Sequence, residues 1–240
     1  MAERLWAAAS LVLALAAFAH FVRGGEVGFP PPRWPSGRAR YFTRAVSRIA
    51  LLFGATAIVL LTLAGQIDAL FEMPQALAPL RQVTGTIPLA GRSTLLLGGA
   101  LLTGALIGAL AARVTRRRLQ FGRIDAVLPR GRSELGWGVL LSIVAGVCEE
   151  CFFRLLIPLL ATMVTREPLV AFALATLLFG AAHRYQGWLG VTATTLVGAL
   201  LGYAYVATAS LWVAIGLHVF IDLNALVLRP LLTGKIDWRA

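Results

Sequence analysis

Lysine is almost missing from this chain: of 22 basic residues only Lys235 is not an arginine. Charge of either sign is scarce as well, 14% of residues, with 11 acids in 240 positions. With 58% hydrophobic residues and a mean hydropathy of +0.79, that scarcity excludes an ordinary soluble domain, in which about a quarter of residues are charged. Cysteine occurs twice, at Cys148 and Cys151, so no disulfide framework exists and the compartment is left unmarked. Internal repeats, low-complexity tracts and a separable soluble domain are absent too. What remains is a single polytopic membrane domain, and the preference for arginine beside so much Ala, Gly and Leu has the look of a GC-rich bacterial genome.

The positive charge, net +11, falls in blocks. Six arginines from Arg23 to Arg48 face one acid, Glu26, and seven from Arg113 to Arg132 face Asp125 and Glu134, whereas residues 66–92 balance two acids with two arginines. Basic short loops mark the cytoplasmic side, so the first two blocks lie inside and residues 66–92 outside. The Arg116-Arg117-Arg118 run is read as a topology signal in contact with anionic lipid, with no nucleic-acid partner.

This pattern predicts an all-α, polytopic membrane helical bundle with seven to eight transmembrane helices. The first apolar segment, Leu5 to Val22, carries a signal-like Ala17-Phe18-Ala19, but its positive flank follows it, which makes it a retained span with the N-terminus outside. A loop with Pro30-Pro31-Pro32 and Pro35 comes next, then a helix from about Ile49 to Gly65. An external connection with a short interfacial helix around Ile67 to Leu80 leads to a third helix, about Ser93 to Ala112, whose Gly98-Gly99, Gly104 and Gly108 suit close packing. From Leu135 to Met163 the apolar run exceeds the roughly 20 residues of one crossing, as a long tilted or bent helix or as two helices divided near Pro158. Segments Leu169–His183, Trp188–Ala207 and Leu211–Leu228 complete the set. Three regions result: residues 1–134 with N-terminal helices and Arg-rich loops, 135–228 as a core, and 229–240 as a cytoplasmic tail.

Few ionisable residues fall within the spans: Glu149, Glu150, Arg154, His183, His218, Asp222, and His20 alone in the first helix. A charge near the bilayer centre costs at least about 2.5 kcal/mol, so residues retained there usually line a wet or protein-filled site. On a helix of 3.6 residues per turn, residues four apart differ by about 40°, which places Glu150 with Arg154, Phe179 with His183, and His218 with Asp222 on shared faces. Glu149 is rotated about 100° from Glu150. The two acids therefore take different roles, Glu150 as partner of Arg154 and Glu149 free to accept a proton. Cys148 and Cys151 form a CxxC pair, but in mid-helix, away from a thiolate-stabilising N-terminus, they are packing residues.

Such a cavity suits amide hydrolysis. A carboxylate in apolar surroundings serves as a base for water, one histidine shares the proton, and another donates to the oxyanion. Alternatively, Glu149, His183 and His218 hold one divalent metal, zinc being the natural choice, that activates the water. Spacing alone does not choose between these.

Glu149-Glu150-Cys151-Phe152-Phe153-Arg154 reads EExxxR, Phe179 to His183 reads FxxxH, and His218 to Asp222 reads HxxxD. In order, in successive apolar helices, these motifs resemble the CPBP family of type II CAAX prenyl proteases and bacteriocin-processing or Abi-type intramembrane endopeptidases, over roughly residues 135 to 228. The resemblance implies that Glu149 and His183 activate water, that His218 and Asp222 belong to the oxyanion site, and that Glu150 and Arg154 support the geometry. One position departs: the eukaryotic-type proteases carry Asn where this chain has Asp222, and an ionised Asp accepts hydrogen bonds without donating. Asp222 is then an orienter of His218, a protonated acid or a metal ligand.

The reading is an intramembrane endopeptidase of a bacterial inner membrane, its site opening to the cytoplasm and its partners a peptide or membrane-protein substrate and the lipid bilayer. A proton-coupled transporter using Glu149 and Asp222 is a rival, against which stands the lack of a repeat. A non-catalytic scaffold or immunity protein is another, against which stand three complete motifs.

Overall fold

A computed structural model describes residues 1–24, 35–86, 127–232 and 236. Among them every regular element is helical and there is no strand. The third expected helix, Ser93 to Ala112, with its glycines, and most of the second arginine block lie outside the described residues.

Helix α1, Ala2–Arg23, buries Ala7, Ser10, Ala14 and Phe21, a stripe at helical spacing, and turns Leu5, Val12 and Leu13 outward. The second helix departs from expectation at its start. It runs unbroken as α2, Pro35–Ile49, a π-helical stretch, Ala50–Ala55, and α3, Thr56–Leu63, so it begins more than three turns before Ile49. Pro35 opens this helix instead of closing a loop, because a first helical residue has no N–H bond to lose and needs the φ that proline already has. The connection after it holds two 3₁₀ turns, Ile67–Leu70 and Gln75–Leu77, and α4, Leu80–Thr84. A single interfacial helix is interrupted there by Pro74 and Pro79.

The run from Leu135 to Met163 is one continuous helix: α5, Arg132–Glu150, a π stretch, Cys151–Leu156, and α6, Ile157–Thr165. Pro158 falls in the first turn after the π stretch and does not divide it. Helices α7, Pro168–Ala182, and α8, Trp188–Thr208, match the expected segments. The last unit, α9, Leu211–Leu223, continues through a π stretch, Asn224–Leu228, into α10, Arg229–Leu232, so helix extends past the expected start of the tail.

Four helices among the described residues are long and apolar enough to cross a membrane: α1, residues 37–63, α8, and residues 211–232. The protein is a multi-pass membrane protein, and its burial is distributed accordingly. Leu51, Val59, Leu174, Leu177, Leu196 and Leu200 are exposed, while Glu149, Glu150, Arg154 and His218 are buried. Helix α5 is central, with α2 on one side and α9 on the other. Helices α8, α7, α6 and α1 continue the ring from α9. Aromatic contacts bind the N-terminal helices to the core: Phe53 lies 4.5 Å from Phe21, 4.8 Å from Phe152 and 5.1 Å from Phe153, ring centre to ring centre.

Candidate active site

The arrangement of charge begins with a glycine. Gly146, one turn before Glu150 on α5, meets the backbone of α9 so closely that a Cβ there would stand 3.0 Å from the Val219 nitrogen and 2.5 Å from its Cγ2. This close approach brings the next turn of α5 against His218. His218 Nδ1 and Glu150 Oε1 are 2.7 Å apart in a buried hydrogen bond. Since a carboxylate only accepts, the nitrogen carries the hydrogen, and Nε2 is left facing Asp222 Oδ2 at 3.7 Å, beyond hydrogen-bond distance.

Glu150 has a second neighbour. Its Oε2 lies 3.1 Å from Arg154 Nε, an ion contact whose N–H is not aimed as a hydrogen bond, so both atoms lack a hydrogen-bond partner. The pairing expected from i,i+4 spacing is present, but Glu150 also bridges to His218 on another helix, a link the expectation lacked. Arg154 is 1% exposed and is held from two further sides. Its guanidinium stacks over the Phe179 ring at 4.1 Å, and its Nη2 donates to the Gly198 carbonyl at 3.3 Å. A Cβ on Gly198 would come within 2.9 Å of Phe179, so the glycine makes room for that stack.

Phe179 is more than a wall. Its ring centre lies 4.8 Å from that of His183 and 5.7 Å from that of His218, edge-on to the latter, so one ring fixes the separation of both histidines and the arginine. His183 terminates α7, and its Nδ1 lies 2.8 Å from the carbonyl of Phe179, a last-turn acceptor. A carbonyl cannot donate, so Nδ1 carries the hydrogen and Nε2 of the neutral ring keeps a bare lone pair.

Glu149 is 5% exposed, and its Oε2 has no hydrogen-bond partner. It lines a cavity of about 270 Å³ together with His183, His218 and Asp222. Four of the six expected site residues thus share one cavity, while Glu150 and Arg154 stand behind its wall. Ile49, Leu141, Ala145 and Leu226 form an apolar part of the lining. Tyr185, Gln186, Thr194 and Arg229 also contribute to it and were not singled out from the sequence. Arg229 was assigned to the tail; the other three are uncharged, and a search for ionisable groups within spans passes over them. Cys151 is buried and Cys148 half-buried, both as free thiols outside the cavity lining, and His20 is exposed on α1.

Among the described residues no three His, Cys, Asp or Glu side chains are arranged to hold a metal ion together. In the set Glu149, His183 and His218, the bonds of His218 Nδ1 to Glu150 and of His183 Nδ1 to a carbonyl leave the Nε2 of each ring as the nitrogen that would meet a metal. The groups that are present can do acid–base chemistry: an unpartnered carboxylate oxygen and an imidazole lone pair line one small cavity, with a second imidazole on another wall.

Residues 131–224 match a family model described as type II CAAX prenyl endopeptidase, Rce1-like. The match includes all three motifs and covers α5 through the first residue of the last π stretch. Comparison with curated proteins and with solved structures gave no match.

Proposed function

We propose, from the match of residues 131–224 to the Rce1-like model of type II CAAX prenyl endopeptidases, that this protein is an intramembrane endopeptidase in which Glu149 and His183 activate water. The observation that carries the reading is the buried Glu149 carboxylate, one oxygen without a partner, lining the same cavity as His183 and His218. In the reaction, Glu149 takes a proton from water and His183 Nε2 accepts a hydrogen bond that orients it. The water oxygen attacks the peptide carbonyl carbon. His218, with Asp222 one turn away to orient it, faces the developing oxyanion. Glu150 holds His218 Nδ1 and Arg154 neutralises Glu150, so this pair positions the histidine and does not touch substrate.

The central helix, at about 1.5 Å per residue, exceeds the roughly 30 Å of a bilayer core. With it and the shorter apolar α7 added to the four spans already counted, the described residues supply six crossings, and the span that the sequence alone predicts at Ser93 to Ala112, outside the described residues, brings the proposed number to seven. The arginine blocks then lie on the cytoplasmic side. A bacterial inner membrane and a peptide or membrane-protein substrate, prenylated or not, complete the proposal.

The test is purified full-length protein in liposomes, given a proteome-derived peptide mixture and read by mass spectrometry for new termini. The intact protein cleaves; Glu149→Ala and His183→Ala insert normally and do not. Full activity in either purified variant overturns the mechanism.

A further inference from the structure

An aspartate at position 222 leaves the site short of a hydrogen-bond donor, and the structure holds one nearby that none of the three motifs includes. Tyr185 sits in the 3₁₀ turn Arg184–Gln186 that joins α7 to α8, two residues beyond His183. Its ring centre is 6.0 Å from the His183 ring, and it lines the cavity that Glu149, His218 and Asp222 line. Gln186 Nε2 donates to its hydroxyl oxygen at 3.1 Å. That bond occupies a phenol lone pair and leaves the O–H hydrogen to be given elsewhere, with no acceptor for it among the described residues.

The turn is built to hold this position. Gln186 N–H donates to the His183 carbonyl at 2.9 Å and Gly187 N–H to the Arg184 carbonyl at 3.0 Å. Gly187 then takes a left-handed φ of 81°, which a side chain would strain. Gly190 lets the Gln186 side chain lie close against the first turn of α8. Tyr185 is thus placed by four consecutive residues whose backbone and side-chain bonds agree, which is what a donor needs if it is not to reorganise during reaction.

We propose that Tyr185 is a catalytic residue that donates its O–H hydrogen bond to the substrate carbonyl oxygen as the tetrahedral oxyanion forms, the place an amide would hold were residue 222 Asn. The inference rests on the peptidase reading. The water oxygen bonds to the carbonyl carbon while Glu149 takes one of its protons. The C=O π pair moves onto oxygen and accepts the Tyr185 hydrogen bond. On collapse the pair returns, the C–N bond breaks, and the leaving nitrogen takes the proton from Glu149. Tyr185 keeps its own proton throughout.

The experiment is Tyr185→Phe in the full-length protein in liposomes, assayed on the peptide that the intact protein cleaves fastest from the mixture, beside intact protein and Glu149→Gln. Loss of one oxyanion donor predicts a kcat lower by about 10²- to 10³-fold with KM nearly unchanged. Gln186→Met, which keeps the phenol and removes its anchor, is the second variant in case the first does not fold, and predicts a kcat lower by roughly tenfold through misplacement of the hydroxyl. Folded Tyr185→Phe with the kcat of the intact protein, or with only KM raised, overturns the inference and leaves the peptidase reading standing so long as Glu149→Gln is inactive. An intact protein that cleaves nothing overturns both.

Discussion

Two buried or half-buried ion pairs anchor α5, one at each end, and they are built differently. At the N-terminal end Arg38 of α2 grips Glu134 with two parallel bonds, Nε to Oε1 at 2.6 Å and Nη2 to Oε2 at 2.7 Å. The same guanidinium donates to the Leu128 carbonyl, and the Arg130 N–H donates to Glu134. At the C-terminal end Glu150 and Arg154 meet through one unaligned contact at 3.1 Å, and Arg154 Nε and Nη1 go without acceptors. The outer pair uses most of its hydrogen-bonding capacity to join two helices. The inner pair spends one Glu150 oxygen on His218 and rests its guanidinium on an aromatic face. A pair optimised for holding helices together looks like the first; the second gives up its own geometry to place a histidine.

The largest expected effect comes from breaking the inner pair. Glu150→Ala leaves Arg154 a buried cation without its carboxylate, which costs about 3–5 kcal/mol, and peptide cleavage is lost because His218 Nδ1 has no acceptor. The double variant Glu150→Leu/Arg154→Met removes both charges and recovers most of that stability, while cleavage stays lost. Thermal unfolding in detergent, set beside the liposome assay, separates the two quantities. Recovery of activity in the double variant would make the inner pair a fastener like the outer one.

A smaller effect follows from widening the gap between α5 and α9. Gly146→Ala puts a methyl group against the Val219 backbone, so the helices shift by a few tenths of an ångström and the Glu150–His218 bond lengthens. Overpacking of this kind costs about 1–3 kcal/mol. The imidazole Nδ1 proton resonance of His218, which a 2.7 Å bond to a carboxylate displaces downfield, moves upfield in the variant if the close approach is what sets the bond.

The outer pair gives the smallest effect and a pH dependence. Glu134 lies in the first turn of α5, outside the apolar run. Burial alone would raise its carboxyl, but the Arg38 hydrogen bonds, the Arg130 N–H and the charges of both arginines bring it below the ordinary 4.5. A carboxyl depressed in the folded state stabilises fully above its unfolded value and loses that contribution as pH falls through the folded value. Acid unfolding of the intact protein therefore gains a component below about pH 4.5 that Glu134→Gln lacks. At neutral pH the substitution keeps an amide oxygen as an acceptor for Arg38, and cleavage persists because neither residue lines the cavity.

The inner pair was half legible in the sequence. Helical spacing alone put Glu150 and Arg154 on one face and separated Glu149 from both. The Glu150–His218 bond spans 68 positions and depends on how α5 docks on α9, which a glycine decides and no local pattern announces. The outer pair was hidden for another reason: Pro35 reads as a breaker after three other prolines, so Arg38 belonged to a loop until the structure made that proline a helix start. Tyr185 escaped because it carries no charge at neutral pH and lies in a turn. The helices from Leu135 onward were legible because unbroken apolar runs end at short turns, two of which place a non-glycine residue, Arg166 and Ala209, in the left-handed region.

One contact at the edge of the bundle bears on how the chain is made. Arg48 closes the end of α1: Nη1 donates to the Gly24 carbonyl at 3.1 Å and Nη2 to that of Phe21 at 3.0 Å, with the guanidinium over the Phe21 ring. Gly24 admits it where any side chain would collide. The groups that finish the first helix are thus synthesised 24 residues after Gly24, which follows its last residue. Until α2 has emerged and turned back, the first helix carries open carbonyls, which favours delivery of the two to the bilayer as a hairpin over delivery one at a time.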